Sequence, residues 1–324
     1  MKATLLAKLI LAVGIALPLS GAMAANWPEQ PVRLVVGFPP GTGPDIVART
    51  VGEQLSKELG QSVVVENKAG AGGQIAAQSV ATSTANGYTI LLGEVGSISI
   101  SPETTSSLSY KPQKDFAPIT EAVRANFVLV TPPDSPYKTL KDFIDNAAKS
   151  EAKFNMATFG AGTPGHFGAE MLADAGGFKI EPVHYRSTGD AVTGIVSGQV
   201  QAAFITTAMA APQLAGGKMR ALGITGNDRT KMLGDIATFK EQHLPAVNFG
   251  AWFAFFAPAG TPDAVLDTLN QKIVAALGNE RVRTTLENAG FVIVGSSREK
   301  LKDLLVSEQK TWSEVVRKTG FKIN

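Results

Sequence analysis

The chain has 324 residues, with 30 basic and 28 acidic side chains and no cysteine. The missing cysteines exclude disulfides, thiol catalysis and a lipid anchor carried on sulfur, and the near balance of charge excludes the basic footprint of a nucleic-acid binder. The length suffices for two domains of ordinary size.

Residues 1–24 read as a secretory signal peptide. Lys2 and Lys8 form a basic start, Leu9 to Leu19 an apolar run, and Ala22-Met23-Ala24 an A-x-A cleavage site. The run is far shorter than the ~20 residues that span a bilayer, and Pro18 interrupts it, so a retained anchor is the weaker reading. The mature chain from Ala25 is therefore expected in the periplasm. Without Lys2 and Lys8 its acidic and basic residues are equal in number.

From Trp27 onward, short apolar runs alternate with amphipathic stretches, a pattern that predicts α/β lobes with largely parallel sheets. Val32 to Phe38 reads as a strand. Ile46 to Leu59 reads as a helix, because Val47, Val51, Leu55 and Leu59 recur every fourth residue and Gly60 stands where a helix stops. A strand at Ser62 to Glu66, a helix from about Gln74 to Thr84 and a strand at Tyr88 to Leu92 follow. Beyond a Pro-rich passage come a strand at Phe127 to Thr131, a helix at Leu140 to Lys149 capped by Thr139, and a strand at Phe154 to Ala157. The series continues with a helix near Phe167 to Leu172, a strand at Val183 to Tyr185, a helix at Ala191 to Val196, and strands at Ala202 to Ile205 and Met219 to Ile224. Ala251 to Ala257 reads as a buried strand, followed by helices at Pro262 to Leu277 and Arg298 to Arg317 that return to the first lobe. The expected division is lobe 1 from residues 25–125 plus about 249–324, and lobe 2 from 126–248. A chain that crosses between lobes more than once places hinges beside a cleft.

The sharpest local feature is Gly41-Thr42-Gly43-Pro44-Asp45, directly after one strand and before one helix. Pro44 suits a first helical turn, the glycines allow close approach of a ligand, and free amides at a helix start attract anions. A tight turn with no ligand explains this loop equally well. The second lobe repeats the device in Thr158-Phe159-Gly160-Ala161-Gly162-Thr163-Pro164-Gly165-His166, and Ala69-Gly70-Ala71-Gly72-Gly73-Gln74 adds a third loop. Two such loops facing each other across strand ends would enclose a small polar molecule. Nucleotide fingerprints fit poorly, since Ile46 replaces the third glycine of G-x-G-x-x-G. His166, His184 and His243 are too scattered for a metal centre, and no nucleophile motif occurs, so neither metal nor cofactor is expected.

Single residues carry two readings each. His166 at a helix start, held neutral by the helix dipole, could donate to a ligand oxygen or be a capping histidine. Arg186 could grip a carboxylate or lie on the surface. Asp45 would repel an anion, so it stabilises the helix start, orders water or accepts from a ligand N–H or hydroxyl. Glu94 presents the same puzzle beyond its strand. Phe38, Phe159 and Trp252 could line the cleft or belong to the core.

With these residues assembled, nearly all of the mature chain resembles the Bug-type receptors, the periplasmic solute-binding components of tripartite tricarboxylate transporters. The resemblance rests on six ordered blocks: residues 27–36 (WPEQPVRLVV), 38–45 (FPPGTGPD), 65–73 (VENKAGAGG), 86–89 (NGYT), 114–118 (KDFAP) and 257–262 (APAGTP). It implies a two-lobe Venus-flytrap fold of type II-like periplasmic-binding-protein class, no catalysis, membrane permease partners and a ligand carboxylate held by loops after the first-lobe strands. Carried over residue by residue, it points to Gly41, Thr42, Gly43, Asp45, Gly73 and Gln74, and in lobe 2 to Gly162, Thr163 and His166. Two departures concern the far end of the ligand: Thr206 and Thr207 stand where relatives often carry an acid, and Glu94 where they often carry a small polar residue. Phe159 would suit a flat or aromatic acid. The resulting expectation is a monomeric binding protein that captures a small carboxylate, whether aliphatic, aromatic or an amino acid, and delivers it to a transporter. The alternatives are a receptor that presents its ligand to a sensor kinase and, with less support, a periplasmic enzyme.

Overall fold

A computed structural model describes residues 27–185 and 188–323. The signal-peptide stretch and Arg186 lie outside the described residues.

The first strand, β1 (Val32–Val36), is apolar and buried except at Arg33. It leads into α1 (Gly43–Leu59), which begins with Pro44 in its first turn and ends at Gly60 in the left-handed conformation. Next come β2 (Val63–Asn67), α2 (Gln74–Ala81) and β3 (Thr89–Glu94). The residues after β3 form a π-helical turn, Gly96–Ile100, that runs into α3 (Ser101–Thr104), then α4 (Pro112–Asp115) and β4 (Phe116–Ala125). A second series contains β5 (Phe127–Thr131), α5 (Leu140–Lys149), β6 (Phe154–Thr158), α6 (Pro164–Gly176), β7 (Ile180–His184), α7 (Thr188–Val196), β8 (Ala202–Thr206), α8 (Thr207–Ala215) and β9 (Arg220–Ile224). The chain closes with β10 (Ala251–Pro258), α9 (Asp263–Gly278), α10 (Glu280–Asn288), β11 (Val292–Ile293) and α11 (Arg298–Thr319).

These strands form two sheets, in the orders β11-β4-β10-β3-β1-β2 and β7-β6-β8-β5-β9, and the protein is a two-lobe α/β fold. The expectation of largely parallel sheets is corrected. β10 runs antiparallel to both β3 and β4, and β5 runs antiparallel to both β8 and β9. The reason is the crossing itself: a strand entering a lobe from the hinge runs against the strands that end there. The chain leaves the first sheet through Asn126 and re-enters it at Gly250, and Ala251 pairs with Ala125 so that the two connections lie side by side. A Cβ on Gly250 would sit 3.2 Å from the Ala125 carbonyl oxygen, which keeps this pair of connections thin.

α11 forms a third connection. It packs on β4 and the π turn of the first lobe and also on α6 of the second. One buried core therefore runs through both lobes: within the second, Phe127 lies 5.2 Å from Phe249 and Phe249 5.1 Å from Phe204, and across to α11 Phe167 lies 5.8 Å from Trp312. Two further cores are local, one under α1 and α9 and one under α7 and α8.

Candidate functional site

The strands β1, β2 and β3 all end toward the second lobe, and the loops that follow them meet at glycines. A Cβ on Gly37 would lie 2.5 Å from the Gly73 Cα, and one on Gly73 would lie 3.4 Å from the Ser97 Cβ and 3.6 Å from the Phe38 ring. Gly73 adopts φ +89°, which favours glycine, so this approach depends on missing side chains. Gln74 donates to the Ser101 hydroxyl at 3.1 Å. Phe38 is half-buried beside them.

Asp45 is 3% exposed, and its carboxylate is turned inward. It accepts from the Gly41 amide at 2.9 Å, from Arg49 Nε at 2.9 and 3.0 Å, and from Asn67 Nδ2 at 2.9 Å. Burial pushes its pKa up, but these hydrogen bonds outweigh it and hold the carboxyl below the usual range. Of the roles open to Asp45, the structure shows the internal one: it fixes the Gly41–Asp45 turn to α1 and to the end of β2. Thr42, at the N-cap position, donates its hydroxyl to the Pro39 carbonyl instead of capping the helix. Its side chain therefore leaves the first amides of α1 uncapped.

The second lobe repeats this geometry with different chemistry. Thr163 caps α6 through its hydroxyl, and the Gly162 amide donates to His166 Nδ1 at 3.1 Å, as Gly41 donates to Asp45 in the first lobe. His166 is 3% exposed and ringed by Phe167, His184 and Phe321. Burial chiefly, and His184 secondarily, lower its pKa to about 4, so the ring is neutral because it is enclosed more than because of the helix dipole. The C-terminal residues cover the far side of this loop: a Cβ on Gly162 would meet Phe321 and Ile323, and the Ile323 amide donates to the Thr104 carbonyl of the first lobe. Phe159 is half-buried against the core under α7, and Thr206 ends β8 without capping α8. Its neighbour Thr207 donates across the lobes to the Gly290 carbonyl at 2.9 Å. Trp252, by contrast, is a core residue, 2% exposed.

Glu94 ends β3 opposite Phe253 of β10, close to the hinge. One carboxylate oxygen accepts from the Gly96 amide at 2.8 Å and the other from the Ser97 amide at 2.7 Å. Burial lifts its pKa to about 7 against these bonds. The structure thus gathers Phe38, Gly41 to Asp45, Gly73, Gln74 and Glu94 at one set of strand ends, and Phe159, Gly162, Thr163, His166 and Thr206 at the other. Arg49, Asn67, Ser97 and Phe321 belong to the same fabric without having been singled out. Arg49 alone had a local signal, its i,i+4 spacing from Asp45. Cavities of about 590 and 340 Å³ lie along α11, lined by Glu170 and Lys318 in one and by Ile98 and Tyr110 in the other. They flank the third connection and involve neither glycine loop.

Glu94 and His166 make opposed contributions to stability. A carboxyl raised from 4.5 to about 7 binds its proton more tightly when folded, so its contribution falls as pH rises through that interval. A histidine lowered from 6.5 to about 4 contributes stability that grows over its own interval. Each is worth on the order of 3 kcal/mol, and between roughly pH 4.5 and 6.5 they offset each other. Urea unfolding across pH 4 to 8 should therefore show E94Q gaining stability relative to the parent as pH rises, and H166Q losing it. Parallel profiles would refute the assignment, and Glu170 and Glu308, also raised by burial, drop out of the difference.

Residues 47–321 match the model of the tripartite tricarboxylate transporter family receptor. Protein BugT of Bordetella pertussis is 31% identical over 315 residues, covering 97% of this chain and 96% of BugT. MatC from Rhodopseudomonas palustris, solved with bound malate, superposes with a TM-score of 0.75 at 31% identity over 90% of this chain and all of its own. A second R. palustris protein, solved with adipate, superposes with a TM-score of 0.79 at 28% identity over 91% and 99%.

Proposed function

The chain belongs to the tripartite tricarboxylate transporter receptor family, whose members are solute-binding receptors and not enzymes, and on that premise we propose that it captures a small carboxylate in the periplasm and delivers it to the membrane permease of such a transporter. One observation carries the proposal. Loops from β1, β2 and β3 converge on Gly37, Gly73 and Ser97 at the strand ends that face the second lobe, which is where open α/β sheets bind ligands. Malate and adipate, bound by relatives, set the size range of the acids to try. In this reading Phe38, Gly41, Thr42, Gly43, Gly73 and Gln74 form one wall and Phe159, Gly162, Thr163 and Thr206 the other, and Arg186 is the residue proposed to grip the carboxylate. Asp45 and His166 brace the walls from behind.

The test is thermal and chemical unfolding of the mature protein against a panel of aliphatic, aromatic and amino-acid carboxylates. An acid present at a hundred times its Kd should add about 2.7 kcal/mol of stability and be recovered unchanged. A flat response across the panel would refute the reading.

A further inference from the structure

We propose that Glu94 is a specificity residue that restricts this receptor to acids with a single carboxylate, by filling with its own side chain the amide pair that a second ligand carboxylate would use. The inference rests on the capture reading above and names the ligand class within it. Backbone amides two and three residues beyond a strand end, turned toward a cleft, are the usual seat for an anionic group in this kind of sheet. Here the seat is built and occupied: Gly96 N and Ser97 N each donate to one oxygen of the Glu94 carboxylate at 2.8 and 2.7 Å. Ser97 is also the residue against which Gly73 packs, so the occupied seat adjoins the meeting point of the three loops.

The surroundings reinforce the exclusion. Glu94 is 8% exposed and has Phe253 as its cross-strand partner, so above pH 7, where its carboxyl is ionised, little water screens a like charge brought beside it. The Tyr110 hydroxyl donates its one proton to the Ser97 carbonyl at 2.6 Å and has none to offer a ligand carboxylate. Arg49, in the second turn of α1, is held by Asp45 and Asn67. A ligand carboxylate placed at this end would meet a carboxyl group and spent donors. An uncharged hydrocarbon or hydroxyl end would not.

The experiment is calorimetric titration of the mature protein at pH 8 with matched acids, hexanoate against adipate and butyrate against succinate, repeated for E94S and E94Q. The parent should bind the monoacid of a pair at least tenfold more tightly. E94S, which frees both amides, should bring the ratio within about threefold by gaining affinity for the diacid, and E94Q, which keeps the volume and loses the charge, should move it the same way. Equal affinity for adipate and hexanoate in the parent, or a ratio unchanged in both folded variants, overturns the inference while leaving capture intact. Silence from these four acids overturns this inference, and silence from the whole aliphatic, aromatic and amino-acid panel overturns the capture reading with it.

Discussion

Trp312→Ala is expected to lower the unfolding free energy by about 3–5 kcal/mol, the cost of deleting a large aromatic from a packed core. Trp312 is 1% exposed on α11, with its ring 5.8 Å from Phe167 of α6. Its indole N–H donates to Glu308 at 2.7 Å, and the same oxygen accepts from Trp252 at 3.1 Å. The substitution opens a cavity between the third connection and the second lobe. It also strips one of two indole donors from a carboxyl whose pKa burial already raises. Urea unfolding at neutral pH measures the loss. A change below about 1 kcal/mol would mean that α11 is not fastened to the second lobe in the way described.

Gly37→Ala should have the larger effect on binding. Its new methyl group would lie 2.5 Å from the Gly73 Cα and 3.2 Å from the Gly73 carbonyl oxygen, and backbone cannot swing aside as a side chain could. The loops after β1 and β2 must separate, at a cost of about 1–3 kcal/mol in stability. An altered cleft geometry should weaken the acid that the parent binds by at least tenfold, about 1.4 kcal/mol. Gly278→Ala is the control: a Cβ there meets nothing within 4 Å, so both stability and affinity should be kept. If Gly37→Ala binds as well as the control, the convergence of the loops is not what holds the ligand.

Much of this architecture could be read directly from residue order. The fourfold spacing of Val47, Val51, Leu55 and Leu59 matches α1, and the Gly-Thr-Gly-Pro-Asp turn stands where a strand gives way to a helix. β4 escaped because it carries Pro118, Glu121 and Arg124 and is irregular in register opposite Phe253 and Phe255, so neither an apolar run nor an alternation shows. The stretch from Gly96 to Thr104 hid behind its serines, and α8 behind Pro212 inside the helix. Strand direction was illegible for a different reason. An apolar run such as Ala251 to Ala257 is buried on both faces and looks the same run forward or backward. At the site, residue type suggested which groups would gather but not how they are used. Nothing in the sequence says that Asp45 turns inward to Arg49 and Asn67, or that Phe321, more than 150 residues away in the chain, leans on His166.

The core shared by both lobes, which Phe167 of α6 and Trp312 of α11 join, makes the two lobes poor candidates for separate life. Cutting the chain at Asn126 and Gly250 would part Phe167 of α6 from Trp312 of α11 and leave both rings facing water. The molecule should accordingly melt as a single cooperative unit, with one heat-capacity peak instead of two. Flexibility must then come from the thin paired strands at the hinge, which bend while the shared interior stays closed.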